Sequence, residues 1–547
     1  MGESGESRVL GGNQNSPTML HSFRDPRVAV LRELSVIRRR PRCGQRHLTR
    51  ITLRIVGLNT FVNGHGNNQL QFQTDNKTSC GHDGKGRLVS ITERVVDFVC
   101  NTPDDAFPAE TRQQAHRAIM DTVGVALAGS KELSSQIVRE TIESSRGEST
   151  VIGSARGAAP GDAALANGTA GHALDYDDVQ RSLTGHPSVT VAPAALAIAE
   201  AVGASGRDLV NAFLVGFEVE CRIGRGMGQS HYARGFHETT TLGTLGAAAA
   251  GARLFGLNRE QTAHALGVAS SMAGGLRANF GSMTKPLQAG NAARGGVMAA
   301  EFARRGFTGG HDILDGSIGF LRTFSPADDA DFEVVDGLGE EWEILTPGIS
   351  VKKYPCCFGT HKAADATLAL ATEHGIVPTD IERVEVHVPA SAIGPDGHIR
   401  PLIHDRPQTG LEGKFSMQYV VAASLLDHQL KLATFEDDAV QRPSAQELLA
   451  KVVPVANATR HPDADSDEYQ AVEIHLTNGQ VISRSVSEPR GGAADPLSDD
   501  ELMEKYRDCA SLVLPEALVT QSANLLSQLD DLGDLRELTA LLRGSED

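Results

Sequence analysis

Gly171-His172-Ala173-Leu174-Asp175-Tyr176-Asp177-Asp178, running on through residues 179–184 to Gly185-His186-Pro187-Ser188, packs three carboxylates and two histidines into one short run. Gly and Pro mark a turn there, and Ala-rich apolar segments that read as helices lie on either side. Charge gathered at a helix–loop–helix corner calls for a cause. Solvation is the bland one, since acids near a helix end serve as N-caps or surface charges. Magnesium binding by Asp175, Asp177 and Asp178 is a weaker one, because neighbouring Asp residues on a helix point to different faces; no metal is expected.

Outward from that corner the pattern is helical. Ile91, Val95, Val96, Phe98 and Val99 share one face, and residues 115–128 place Ile119, Val123 and Val125 inward. Segments 190–204, 208–224, 239–256, 260–275 and 287–306 are rich in Ala, Gly and Leu, which lets helix backbones approach closely. Beyond about residue 345 the character changes. Residues 384–388 alternate as a strand, and Val472, Ile474 and Leu476 alternate up to Asn478-Gly479, which predicts a hairpin with a type I′ turn before Val481 and Ile482. Residues 415–426 and 445–452 read as helices, and the tail from Ser498 to Leu542 as amphipathic helix packing back on the first domain. The expected fold class is therefore mainly α: a large all-helical domain over 88–344, a smaller inserted α+β lid domain over 345–485, and returning C-terminal helices over 486–547. Ligands commonly bind in clefts between such parts.

The chain has 547 residues, 40% hydrophobic and 22% charged, enough for a large core. No apolar run approaches the length of a membrane span and no signal peptide is evident, so a membrane partner is not expected and the chain reads as cytoplasmic. Seven cysteines without a C-x-x-C pair suggest neither a disulfide framework nor a zinc site. Residues 1–90 hold 14 Lys+Arg against 6 Asp+Glu, whereas the whole chain carries −18. The body is thus strongly acidic, which argues against a nucleic-acid partner. Residues 1–87 read as a disordered basic extension, and Arg38-Arg39-Arg40 within acid-poor surroundings leaves a mitochondrial transit function open.

Two further polar clusters interrupt the helices. His231 to Thr240 precedes a helix, where N–H groups and the dipole favour an anion, and Met283-Thr284-Lys285-Pro286-Leu287 opens another with Pro286 in its first turn. Capping by Thr239 or Thr240, and a solvated head on an apolar stem for Lys285, are the ordinary alternatives. Taken together, Asn167 to Asp178, Gly185-His186-Pro187-Ser188, Gly235-Phe236-His237, Thr284-Lys285-Pro286-Leu287, Lys352-Lys353-Tyr354-Pro355-Cys356-Cys357 and Ser416-Met417-Gln418-Tyr419 resemble the MmgE/PrpD family of 2-methylcitrate dehydratases and cis-aconitate decarboxylases, in order, over about residues 88–545.

The resemblance implies a helical domain with an α+β lid, a homodimer, and lyase chemistry on a small tricarboxylic acid without metal or organic cofactor. Carried over by motif, it implies a site of Asp175, His186, His237, Lys285, Lys352 and Tyr419. Two positions depart from the family pattern: Val179 where the animal decarboxylases have Thr, in a loop one residue longer, and Gln288 where many relatives have His. The residue types suit the chemistry independently. Removing a proton beside a carboxylate and expelling hydroxide needs a base, an acid and cations. His186 and His237 exchange protons near neutrality, Lys285 and Lys352 hold carboxylates, Tyr419 donates or shuttles a proton, and Asp175 orients a histidine. Decarboxylation or epimerisation beside a carboxylate would use the same groups, and a non-catalytic dimeric binding protein is the remaining alternative.

Overall fold

Helix boundaries follow local chemistry. In the computed structural model, which describes residues 89–544 apart from 327–329, 395–398, 400, 458–460 and 462–467, Ser90 and Glu93 form a reciprocal capping box that opens Ile91–Asn101. Ser205 with Asp208, Asn258 with Gln261, and Ser498 with Glu501 do the same for Gly206–Met227, Arg259–Met272 and Asp499–Ala510. The expected basic extension over 1–87 lies outside the described residues.

Small residues decide how the central helices meet. Pro160–Ala173 crosses Thr284–Arg304 with Gly168 against Gly290, where a Cβ on Gly168 would stand 2.8 Å from the Gly290 Cα. No side chain larger than hydrogen fits there, so the two backbones touch and the start of one helix is held beside the end of the other. Ser188–Val202 and Glu238–Leu254 complete this layer. Its core draws on Val95, Ile119, Leu127, Val191, Phe213, Phe217 and Leu245 and takes in Leu526, Leu535 and Leu542 from the tail. Asp499–Ala510 and Glu516–Ser527 pack on Ala109–Gly129.

A second core begins at Tyr354 and ends near Val486, while Ile344, Ile349 and Val351 still belong to the first. It is built on a four-stranded sheet in the order Val452–Asn457, Ile381–Pro389, Gln470–Leu476, Val481–Val486, with only the first pair parallel. Val384, Val386, Val388, Val472 and Ile474 face the helices His361–His374 and Met417–Asp427. The hairpin falls where Asn478-Gly479 placed it, but its turn is not type I′. Only Gly479 is left-handed (φ 87°), Gly479 donates to the Leu476 carbonyl and Leu476 to that of Gln480, each at 2.9 Å. This is a three-residue loop with glycine in the bulge position; a type I′ turn would need Asn478 left-handed as well. Among the described residues, no helix is long and apolar enough to cross a membrane.

Candidate active site

The acidic run leaves the helix immediately after Ala173. Asp175 adopts a left-handed conformation (φ 51°), which Asp tolerates better than most side chains, and the chain turns inward. All three carboxylates are buried: Asp175 is 2% exposed, and Asp177 and Asp178 are fully covered. Surface solvation is therefore excluded, and the reason given against metal binding does not apply, because the residues are not on a helix. Atoms of His172, Asp175, Asp177 and His186 converge within 4.8 Å. Two ammonium groups already stand at Asp175, however, and they oppose a cation there. Asp178 accepts the Ser188 N–H at 3.3 Å, next to the start of Ser188–Val202, and burial pushes its carboxyl well above the usual range. Capping is its role.

A two-residue ladder pairs Val179–Gln180 with Ile349–Ser350 and brings the segment carrying Lys352 alongside the acidic loop. Lys352 Nζ donates to the Asp175 carbonyl at 2.7 Å and lies 3.2 Å from its Oδ2. Lys285, in the first turn of Thr284–Arg304, pairs with the other carboxylate oxygen. Two lysines that the sequence reading did not single out staple these segments together. Lys505 donates to the carbonyls of Tyr176 (2.9 Å) and Lys352 (2.8 Å) and pairs with Asp121 at 2.6 Å; Lys414 donates to those of Leu174 (2.8 Å) and Pro355 (3.0 Å). Their backbone acceptors gave no sequence signal.

The role expected of Asp175 falls instead to Asp177. Its Oδ2 lies 2.8 Å from His172 Nδ1, a hydrogen bond that keeps that ring's proton on Nδ1, and 3.3 Å from His186 Nδ1, an electrostatic contact outside hydrogen-bond geometry that favours a proton on the same side of that ring. His237, just ahead of Glu238–Leu254, is fixed in the same way. Gln288 Nε2 donates to the Leu276 carbonyl at 3.2 Å, which turns Oε1 toward His237 Nδ1 at 2.7 Å. The ring centroids of His172 and His186 are 4.6 Å apart, and those of His172 and His237 5.9 Å. His172 and Asp177 were visible in the opening motif, but their pairing needed coordinates.

Electrostatics follows from burial. It pulls His186 down to about 4, with Asp177 opposing and Lys352 and Lys285 assisting. Burial, Lys285 and His172 hold His237 well below its ordinary value. At Asp175 burial favours the neutral acid, yet the Lys285 and Lys352 ammonium groups outweigh it and hold the carboxyl well below its usual range. Burial disfavours the Lys352 ammonium, but Asp175 and Asp177 more than restore it. The site thus holds neutral imidazoles, two ammonium groups and two carboxylates.

These groups share a cavity of about 580 Å³ lined by Asp175, His186, His237, Lys285 and Lys352, with Phe280 and Phe415 as apolar walls. The Lys285 Nζ lies 5.2 Å from each of those ring centroids. At the rim Arg181 reaches Glu468 (3.0 Å) and Glu488 (3.1 Å). A larger cavity of about 1160 Å³, lined by Lys131, Glu132 and Glu436 among others, contains none of the imidazoles. Tyr419 is not brought to the site. It is buried in the second core, its hydroxyl donates to the Thr434 carbonyl, and its ring meets Phe435 at 5.9 Å. The acid/base function expected of it has no geometric basis.

A mainly helical chain whose buried lysines and histidines converge on one pocket carries the groups that an enzyme acting on small anions needs. The family-model comparison specifies it: the MmgE/PrpD N-terminal domain matches residues 93–333 and the MmgE/PrpD C-terminal domain residues 354–531. The chain belongs to the MmgE/PrpD family and is an enzyme of the lyase class. It is similar to the cis-aconitate decarboxylase of Mus musculus (32% identical, covering 84% of this chain and 94% of the relative) and to that of Homo sapiens (32%, 84% and 95%). The cis-aconitate decarboxylase of Aspergillus terreus is 30% identical over 83% of this chain and 96% of its own length.

Proposed function

We propose that this enzyme decarboxylates a small unsaturated tricarboxylic acid of the cis-aconitate kind, using only its own side chains. The observation that carries the reading is the convergence of Lys285, Lys352, His186 and His237 on one cavity. The named activity of the relatives points the same way.

In this mechanism Lys285 and Lys352 receive carboxylates of the substrate beside the apolar walls formed by Phe280 and Phe415. The imidazoles are neutral beforehand, and a bound trianion raises their proton affinity, so the acid is charged as substrate enters. The C–C bond to one carboxylate breaks and carbon dioxide leaves. The freed electron pair forms a new double bond to the neighbouring carbon. The displaced pair of the old double bond takes a proton from His186 or His237 at the carbon beside a retained carboxylate. One proton is consumed for each carbon dioxide released. The two ammonium groups stabilise the carbanionic intermediate, and Asp177 and Gln288 keep the imidazoles correctly oriented.

Dehydration of an alkylcitrate is the second reading, favoured by Val179 and Gln288, which depart from the decarboxylase pattern. Purified protein incubated with cis-aconitate, 2-methylcitrate and longer alkylcitrates separates the two by mass spectrometry. Loss of carbon dioxide from cis-aconitate upholds the proposal. Loss of water from an alkylcitrate without carbon dioxide replaces it with a dehydratase, and deuterium wash-in at constant formula replaces it with an epimerase. The assembly proposed is a homodimer, tested by sedimentation velocity.

A further inference from the structure

The sheet has a second chemistry-bearing surface. On the face opposite its buried valines, Ile381–Pro389 presents Arg383, Glu385 and His387, and Gln470–Leu476 presents Glu473 and His475. Glu385 and Glu473 stand directly opposite each other in register, a pairing of like charges that ordinarily destabilises a sheet.

Each carboxylate is held by one oxygen only. Arg383 pairs with Glu385 Oε1 at 2.8 Å, and His475 Nε2 lies 2.8 Å from Glu473 Oε1. The remaining oxygens approach the same atom, His387 Nε2, at 3.4 Å from Glu385 Oε2 and 3.9 Å from Glu473 Oε2. That nitrogen is buried without a hydrogen bond, in a residue only 9% exposed. His461 joins two of them: its ring lies 5.0 Å from that of His387, and ligand atoms of His387, His461 and Glu473 fall within 4.8 Å of one another.

The surrounding bonds prepare His387 as a ligand. Its Nδ1 lies 3.2 Å from Asn457 Oδ1; the Asn457 amide is oriented by its Nδ2 donating to the Tyr469 hydroxyl at 3.1 Å, and the His461 backbone N–H donates to that hydroxyl at 2.9 Å. Nδ1 therefore carries the proton, Nε2 is left as an acceptor, and one network ties both histidines in place. Ligands about 2.0–2.1 Å from a tetrahedral ion sit about 3.3 Å apart, close to the 3.4 Å between His387 and Glu385.

We infer that His387, His461 and Glu473 form a divalent transition-metal site of the zinc type on the outer face of the sheet, with Glu385 beside His387; none of these residues lines the catalytic cavity, although Tyr469 of the supporting network does. The ion removes the Glu385/Glu473 repulsion and clamps His461 to the sheet.

The test uses full-length protein stripped with EDTA and titrated with zinc sulfate by calorimetry, with thermal unfolding read in parallel. His387→Ala, Glu473→Gln, Asn457→Ala and, as a control for the catalytic imidazoles, His186→Ala are compared. One zinc ion bound by both the parent and His186→Ala, at least about 10-fold weaker in His387→Ala and Glu473→Gln, supports the site. A zinc-dependent rise in Tm that EDTA reverses and these two variants lack supports it as well. Asn457→Ala, which keeps every ligand, also weakens binding, because the proton on His387 Nδ1 loses its acceptor. No zinc uptake by the parent, or equal uptake by the parent and the foldable sheet variants, overturns it.

Discussion

Replacing Asp177 by Asn probes the site more sharply than removing any group that touches substrate. The change keeps shape and volume but takes a buried negative charge from between two imidazoles, 2.8 Å from one and 3.3 Å from the other. At an effective dielectric near 20, unit charges 3.3 Å apart interact by about 5 kcal/mol. Each 1.36 kcal/mol is a factor of ten, so the ceiling on lost stabilisation of an imidazolium at His186 is between three and four decades. An amide also presents a donor where the carboxylate accepted, which favours the opposite ring tautomer. We expect kcat to fall by about 10²–10⁴-fold with KM changed far less, because Asp177 does not line the cavity. Asp177 raises the His186 pKa, so the limb of the pH–rate profile belonging to His186 moves to lower pH in the variant. Steady-state rates across pH, with circular dichroism to confirm folding, give the answer. A folded Asp177→Asn enzyme within threefold of parental kcat, with an unmoved profile, refutes the assignment.

His186→Ala and Lys285→Ala are each expected to lower turnover by at least about 10²-fold while unfolding remains cooperative; near-parental turnover in either removes that residue from the mechanism. Tyr419→Phe is expected to cost about 1 kcal/mol of stability in a denaturant titration, through loss of the bond to Thr434, and to leave kcat within threefold. Burial raises Glu238 to about 8, so the native state holds a proton there that the unfolded chain releases near 4.5. Its contribution to stability is complete below about 4.5 and is lost as pH rises through about 8; Glu238→Gln should flatten that decline in unfolding measurements at pH 5.5 and 8. Asp175 and Asp177 have the opposite sign. Their carboxyls are held low, so their contribution stands above the ordinary Asp range and fades on acidification below about pH 4, which acid unfolding of Asp175→Asn against the parent will show.

Periodicity and punctuation made the helices and the sheet legible in the sequence. Ala- and Gly-rich segments at 3.6 spacing became Ser188–Val202, Glu238–Leu254 and Thr284–Arg304, because side-chain direction along a helix is a local property. Asn478-Gly479 located the hairpin, although the ladder beyond it decided the turn type. The composition of the acidic run and the flanking motifs also named five residues of the cavity. Pairings were another matter. Asp175 and Asp177 are alike in sequence, and only the left-handed turn at Asp175 and the Val179–Gln180 ladder sent one to the lysines and the other to the imidazoles. Tyr419 was placed by its motif, yet its hydroxyl turned to Thr434 because the second core packs around it. Local sequence determines which groups the chain carries and which stretches coil. Which charges touch depends on contacts between segments more than a hundred residues apart, such as Lys285 with Asp175, and the close crossing at Gly168 and Gly290 brings that pair together.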